Sequence, residues 1–305
     1  MEQQPKQLQK KTLSLLSEKL HKLPMLPTIV SRMMTLNPSD DDFQEDVLDL
    51  LQEDPTFAAR LIQLANSAYS HPTVPIVSLK DALVRMGSVN VFNLISSLSV
   101  IKVFMPSNQF QKDLWVHSIQ VAVATRTISI ASTDNVIRPD EAYLCGLMHD
   151  IGRFIMFSDS PEELGKVDER KYKNPKDLIK VEREICGFDH AEMGWHACLN
   201  WQLPELVTNV VKHHHHYKMA NSNSPEIIVI GKIIRIVQMA DYLSMAMMKI
   251  ENFDLLSEAE IRGFINHRCL VSSWSELPVP VDTLAKLAKS IFFEAEKLVK
   301  NLGLR

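Results

Sequence analysis

Apolar residues recur along most of this chain with the period of an α-helix, and no stretch alternates convincingly with the period of a strand. Residues 12–23 put Leu13, Leu15, Leu16 and Leu20 on one broad face, with lysines on the solvated side. Pro24 and Pro27 break that pattern, and a helix resumes over residues 28–36 through Ile29, Val30, Met33 and Met34. The Ser39-Asp40-Asp41-Asp42 loop is expected to cap a helix over residues 43–52. Pro55 is placed to open the next helix as its first residue, with Phe57, Leu61, Leu64 and Ala65 as its stripe and Asn66-Ser67 at its end. Ser78 predicts a cap for residues 79–86, Gly87 a closure, and Ser88 a cap for the next helix. From Val89 to about Phe104 the chain is apolar on most sides, as a central helix is.

Residues 105–109 read as a boundary. The β-branched run at 227–230 could be a strand, but its continuation through Ile233, Ile234 and Val237 to Asp241 favours a buried helix. Ser257 with Glu260 has the spacing of a capping box. Beyond the break at Pro278–Pro280, Asp282 is expected to cap a long final helix. Leu284, Leu287, Ala288, Ile291, Ala295, Leu298 and Val299 form its stripe. That stripe packs on the body or pairs with a second copy as a homodimer, and the pattern leaves both open. The expected architecture is all-α: an N-terminal helical bundle over residues 1–107, a second helical domain over 108–250 and a C-terminal helical extension over 251–305.

Composition narrows the function. With 305 residues, 46% apolar, the chain can bury a sizeable core. Only nine glycines argue against a glycine-rich nucleotide loop. A net charge of −4 gives no electrostatic reason to expect nucleic acid or an anionic membrane as partner. Cys145, Cys186, Cys198 and Cys269 show no CxxC spacing and lie in helical surroundings, as reduced cytosolic thiols do. The polar N-terminus lacks a signal peptide's apolar core. The apolar stretches at 91–104 and 227–237 are interrupted by Asn93, Lys102, Lys232 and Arg235. A cytoplasmic protein is expected.

Eight of the eleven histidines fall between residues 105 and 250. His117, His149-Asp150, His190, His213-His214 and Asp241 are of types that bind transition metals, and each sits in or beside an apolar helical pattern. Taken singly, such a histidine is usually a hydrogen-bonded, partly buried side chain. Asp241 is harder to dismiss, because a carboxylate in so apolar a run needs a partner. The run His213-His214-His215-His216 ends a helix that carries Leu206, Val210 and Val211. At most two of the four can face one cleft, and His213 and His214 are the expected pair. Spacing alone does not join these residues into one site.

A resemblance joins them. LPMLP (23–27), EDPTFAARLIQLANSAYS (53–70), SLKDALVRMG (78–87), LWVHS (114–118), GLMHDIG (146–152), GFDHAEMG (187–194), WQLP (201–204) and the four histidines stand in the order found in HDOD domains. These are bacterial signalling modules related to the HD phosphohydrolases, and about two-thirds of the chain is covered. The resemblance implies an HD-like second domain and a regulatory role through a signalling protein partner or a nucleotide-type ligand. The alternative is a metal-dependent phosphohydrolase or phosphodiesterase. Unlike many members, this chain is similar to the better-equipped HD and HD-GYP enzymes in its donor residues. Their ligands fall on His117, His149, Asp150, His190, His213, His214 and Asp241, which implies one or two divalent cations (iron, manganese or zinc). An acid one turn before the first histidine falls on Asp113. If the chain is an enzyme, Asp150 is catalytic, and Arg153 and Lys212 are the charges that would steady a phosphate. The GYP triplet is absent, since YKMANSNSPE comes after His216; this argues against cyclic di-GMP as the substrate.

Overall fold

The computed structural model describes residues 28–66, 75–132, 137–170, 175–216, 227–269 and 276–305, with Lys19, Leu23, Pro24, Leu26, Met219 and Trp274 as single positions. Among the described residues every regular element is helical. The helix expected over residues 12–23 and the segment after His216 lie largely outside them.

The N-terminal helices are α1 (Thr28–Met33), α2 (Phe43–Glu53), α3 (Pro55–Ala65), α4 (Leu79–Met86) and α5 (Ser88–Val103). Helix α1 is three residues shorter than its pattern. Ser78 caps α4 by accepting from the Asp81 N–H, and Gly87 closes it by donating to the Leu83 carbonyl. Two expected caps differ. Asp42 sits in helical backbone geometry and makes no side-chain cap bond. Ser88 is already inside α5, with Gly87 at the cap position. Helix α5 is buried along most of its length, as its all-round apolarity requires.

The centre is built on α6 (Gln109–Ala131), a 23-residue helix capped by Asn108. Against it pack α7 (Pro139–Met148) and, farther along the chain, α13 (Ile228–Lys249). Between these run α8 (Ile151–Asp159), α9 (Pro161–Glu169), α10 (Pro175–Cys186), α11 (His190–Asn200) and α12 (Glu205–His213). The β-branched run near residue 228 is helical, as its continuation predicts. The two halves meet at an aromatic cluster. The indole N–H of Trp115 donates to the Phe104 carbonyl at 3.0 Å, and its ring lies 4.0 Å from that of Phe154. Trp201 donates to the Pro24 carbonyl at 3.1 Å.

After a capping box at Ser257–Glu260 comes α14 (Glu258–Phe264). The last helix, α15 (Val281–Asn301), begins at Pro280; Asp282 does not cap it but pairs with Arg262 at 2.7 Å. Its apolar stripe lies against α6, so it packs on the body. One continuous buried cluster runs from Leu26 to Leu304. Among the described residues no single helix is long and apolar enough to cross a membrane.

Candidate metal centre

Four helix ends and two helix flanks bring the donors together. His117 projects from the middle of α6 and Asp241 from α13. His149 ends α7 and Asp150 precedes α8. Asp150 has φ −102° and ψ 16°, the sparsely populated bridge between the helical and extended regions. That one residue separates two helices that would otherwise be continuous and turns its carboxylate inward. His190 is the first residue of α11, and His214 and His215 follow α12.

Close helix approach sets these positions. Gly152 follows the His149-Asp150 pair by two residues, where a glycine could simply loosen the chain. It instead lies within α8, where a Cβ would stand 1.9 Å from the His190 carbonyl oxygen and 2.8 Å from the Gly194 nitrogen. The start of α11 therefore rests directly on the backbone of α8, and His190 meets Asp150.

Four of the five inner histidines have their Nδ1 held from outside. His149 and His214 donate from Nδ1 to the carbonyls of Gly146 and Val211, each at 2.8 Å. His190 donates to Glu182 Oε2 at 2.6 Å. Ser244 gives its proton to Gln120 Oε1 at 2.8 Å and accepts from His117 Nδ1 at 2.9 Å. These outer partners turn all four Nε2 atoms toward the interior, the arrangement by which supporting hydrogen bonds orient metal-binding imidazoles.

The inward atoms form two groups that share Asp150. Asp150, His190, His214 and His215 make one; His117, His149 and Asp150 make the other. In each, the donor atoms all lie within 4.8 Å of one another. Asp150 Oδ1 is 3.2 Å from His190 Nε2 and 3.5 Å from His214 Nε2, while Oδ2 faces His149 Nε2 at 3.7 Å. Asp241 stands beside the second group, 3.4 Å from His117 Nε2. The site is almost dry, with His149 1% and His190 0% exposed.

Charge reflects that burial. Desolvation pulls His117 down to about 4 and His149 to about 3, so both are neutral with lone pairs free at ordinary pH. Burial also lowers His215 well below its usual value. Burial pushes Asp241 up to about 7, and the nearby Asp150 carboxylate adds to the rise. For Asp150, burial acts against ionisation but the imidazoles of His149 and His190 outweigh it. His190 behaves oppositely to its neighbours. Burial acts to lower it, yet Glu182 and Asp150 push it up to about 10. Its Nε2 proton then lies among three acceptors, Asp150 Oδ1 and the Nε2 atoms of His214 (3.3 Å) and His215 (3.0 Å). A cation placed there would have to displace that proton. Converging neutral imidazoles and carboxylates of this kind suit a divalent transition metal.

Of the residues singled out by sequence, His117, His149, Asp150, His190, His214 and Asp241 are gathered. His213 is not; it pairs with His216 at 2.9 Å on the outside, and His215 takes the inner position. Val207, Val211 and His214 share one face of α12 at four- and three-residue spacing, so His214 continues the buried stripe. His215 lies past the end of that helix, where its period no longer sets direction. Asp113 accepts from Gln109 at 2.9 Å and is outside both groups. Lys212 lies over the Trp195 ring at 3.4 Å. Arg153 is buried behind the donors, 3.3 Å from Asp168 and 3.9 Å from Glu182. Glu182 went unrecognised in the sequence. Its signal was an acid at 182 inside the Leu178–Val181–Ile185 stripe, and it is fully buried, also accepting from the His190 backbone N–H at 3.0 Å.

Comparison with known proteins agrees with this architecture. Residues 23–217 match the HDOD domain family. An uncharacterised protein of Treponema pallidum (strain Nichols) is 24% identical over 200 residues. These are 66% of this chain but 39% of that protein, so the chain spans about two-fifths of its relative's length. The crystal structure of an HDOD domain protein of unknown function from Geobacter sulfurreducens aligns over 95% of this chain and 98% of its own. Its TM-score is 0.65 at 23% identity. A protein of Shewanella amazonensis SB2B, provisionally named a phosphohydrolase, aligns over 94% and 98%, with TM-score 0.70 at 20% identity. The matched span takes in the N-terminal helices as well as His117, the His149-Asp150 pair, His190 and His214-His215, and the chain belongs to the HDOD domain family.

Proposed function

We propose that this HDOD protein holds two divalent cations and acts on a phosphoester. The observation that carries the reading is Asp150, whose two oxygens face the two donor groups separately. A carboxylate so placed can bridge a cation pair, and such a pair supplies a nucleophile at neutral pH and charge to receive a phosphoryl group. The chain's own contribution is orientation and dryness. Gly146, Val211, Glu182 and Ser244 fix the inward imidazole atoms, and Asp241 offers a carboxyl near neutrality beside His117. Arg153 supports Glu182 and hence His190. The ligand class that fits is a nucleotide or another small phosphoester.

A second reading, a regulatory module working through a protein partner, rests on coordination number. One cation would meet Asp150, His190, His214 and His215; the other would meet His117, His149, Asp150 and Asp241. Four protein donors complete a tetrahedral zinc shell. They leave open positions only on ions that prefer six ligands, such as manganese. Zinc in both places would make the centre a brace, and the N-terminal bundle, where Val77 and Val84 are 83% and 61% exposed, would carry the contacts.

The test is elemental analysis of untagged protein together with hydrolysis of bis(p-nitrophenyl) phosphate. Two equivalents of metal and a turnover that Asp150→Ala removes are expected, with both metals lost at once because the residue is shared. Loss of one equivalent alone would exclude the bridge. Two equivalents of zinc without turnover would select the regulatory reading.

A further inference from the structure

Among the described residues the inner histidines lie deep, while His117, His215 and Asp241 are partly exposed. His149, His190 and His214 are 1%, 0% and 2% exposed, and a hydrated cation must shed its water to reach them. The four-histidine run offers a route. Its two inner members, His214 and His215, belong to one donor group. Its two outer members, His213 and His216, face each other with their Nδ1 atoms 2.9 Å apart and ring centroids 5.1 Å apart. His213 is half-buried and His216 exposed.

That separation has chemical meaning. Two imidazole nitrogens bound to one cation at about 2.0–2.1 Å stand roughly 2.9 Å apart when the ligands are at right angles. Two neutral imidazoles can share a single proton between facing nitrogens, and a cation can take its place once both rings tilt to aim their lone pairs at a point off the line between them. The inward-facing atom also differs from that of the inner histidines. There Nδ1 is taken by a carbonyl or carboxylate and Nε2 binds; here the facing atoms are both Nδ1. The outer pair is therefore not a misplaced part of the inner set.

Charges of both signs face the pair, Lys212 acting on both rings and Arg183 on His216. The Lys212 ammonium is held over the Trp195 indole. Asp189, the residue before His190, is a negative charge on the His216 side, and its carboxylate is paired with Arg183 at 2.6 Å. The inner donors are one residue away on each side, about 3.8 Å between successive Cα atoms. His215 joins the two environments, partly exposed at one edge and with its ring 5.0 Å from that of His190.

We propose that His213 and His216 form a separate, solvent-facing transition-metal site that captures the cation and passes it to His214 and His215. This rests on the reading of the buried centre as a metal site and adds a loading function outside it. Capture beside the inner donors raises the local cation concentration, so the pair acts on the rate of filling and not on the final occupancy.

The experiment follows cobalt(II) uptake by metal-stripped, untagged full-length protein through its visible absorption, with equilibrium dialysis for stoichiometry. His213→Gln/His216→Gln is expected to fill to the same stoichiometry as wild type but on the order of tenfold more slowly, because a tethered transfer becomes a bimolecular one. Each single substitution should give most of that slowing, since chelation needs both rings. His214→Ala/His215→Ala should retain rapid, weak cobalt binding at the outer pair while losing stable occupancy. Circular dichroism of each variant separates these effects from unfolding. Equal uptake rates in wild type and the outer double variant, at equal stoichiometry, would overturn the proposal while leaving the buried centre intact. Failure of wild type to retain cobalt at all would overturn both.

Discussion

The N-terminal helices and the central helices bury polar groups in opposite ways. In α5 the buried polar side chains are small and uncharged: Asn93, Ser96, Ser97 and Ser99. Ser99 turns back to the Ile95 carbonyl at 2.6 Å, and Ser97 shares a 2.8 Å hydrogen bond with the Tyr143 hydroxyl. The centre, beside small hydroxyls and amides of its own, buries the ionisable groups Asp140, His149, Asp150, Arg153, Glu182, Asp189, His190, His214 and Arg235. A helical bundle does not need those. Unpaired buried charges cost several kcal/mol each, and paired ones are often no better than apolar residues of similar size. The contrast marks where this molecule gives up stability for chemistry. The N-terminal half is polar only as far as its helices tolerate; the centre concentrates ionisable groups around one carboxylate.

The largest effect should come from forcing the central helices apart. Gly152→Ala sets a Cβ against the His190 backbone, which cannot rotate away as a side chain could. A loss of about 3 kcal/mol or more in urea unfolding is expected, with the metal content falling as His190 moves from Asp150. Gly165→Ala in α9 is the control. Nothing lies within 4 Å of its Cβ, and it should be neutral or stabilising by up to about 1 kcal/mol. Equal responses would mean that close approach at Gly152 does not position the donors.

Weakening a supporting charge should matter less. Glu182→Gln keeps the shape and a hydrogen bond to His190 but removes the charge, and metal affinity should fall by about 10–100-fold with little change in fold. The pH dependence adds a second readout. With its folded pKa raised to about 10, His190 keeps its proton in the metal-free protein, and the stability it adds there is full below its unfolded value and lost as pH rises through about 10. A cation must displace that proton, and around pH 7 it also competes with the one on Asp241. Apparent affinity should therefore rise with pH, with proton release visible by calorimetry in buffers of different ionisation enthalpy. The slope should flatten in Glu182→Gln. An affinity independent of pH would place the cation away from His190.

The smallest effect belongs to the N-terminal half. Ser99→Ala removes a hydroxyl bonded only to its own helix, a type of bond that slightly bends and destabilises helices. Thermal unfolding should shift by less than about 1 kcal/mol, with metal content unchanged. A large loss would show that α5 relies on its buried hydroxyls as the centre relies on its charges.

Much of the fold was legible because a helix reports its own burial. The stripes of α3, α5, α13 and α15 were readable from period alone, and so were the Ser78 cap and the Ser257–Glu260 box. Asp42, Ser88 and Asp282 misled because which residue leaves helical geometry depends on the turn before the helix; Gly87 takes the cap position ahead of Ser88, and Pro280 ahead of Asp282. The donors were legible by residue type, and their grouping through family resemblance. His215 and Glu182 were harder. The first follows a helix end, where the period stops carrying directional information. The second appears as one acid in an otherwise amphipathic helix.

Residue order alone was enough to specify an all-helical chain, the faces its helices bury and the set of imidazoles and carboxylates available. Periodicity acts over a few residues and sets direction within one helix. It took the packing of distant helices to make Asp150 serve two groups, to put His215 in the place of His213, and to stand Glu182 and Ser244 behind the donors. Those outcomes depend on how separate helices cross, and a crossing such as that of α8 and α11 is fixed by backbone contact at Gly152 with a residue 38 positions away.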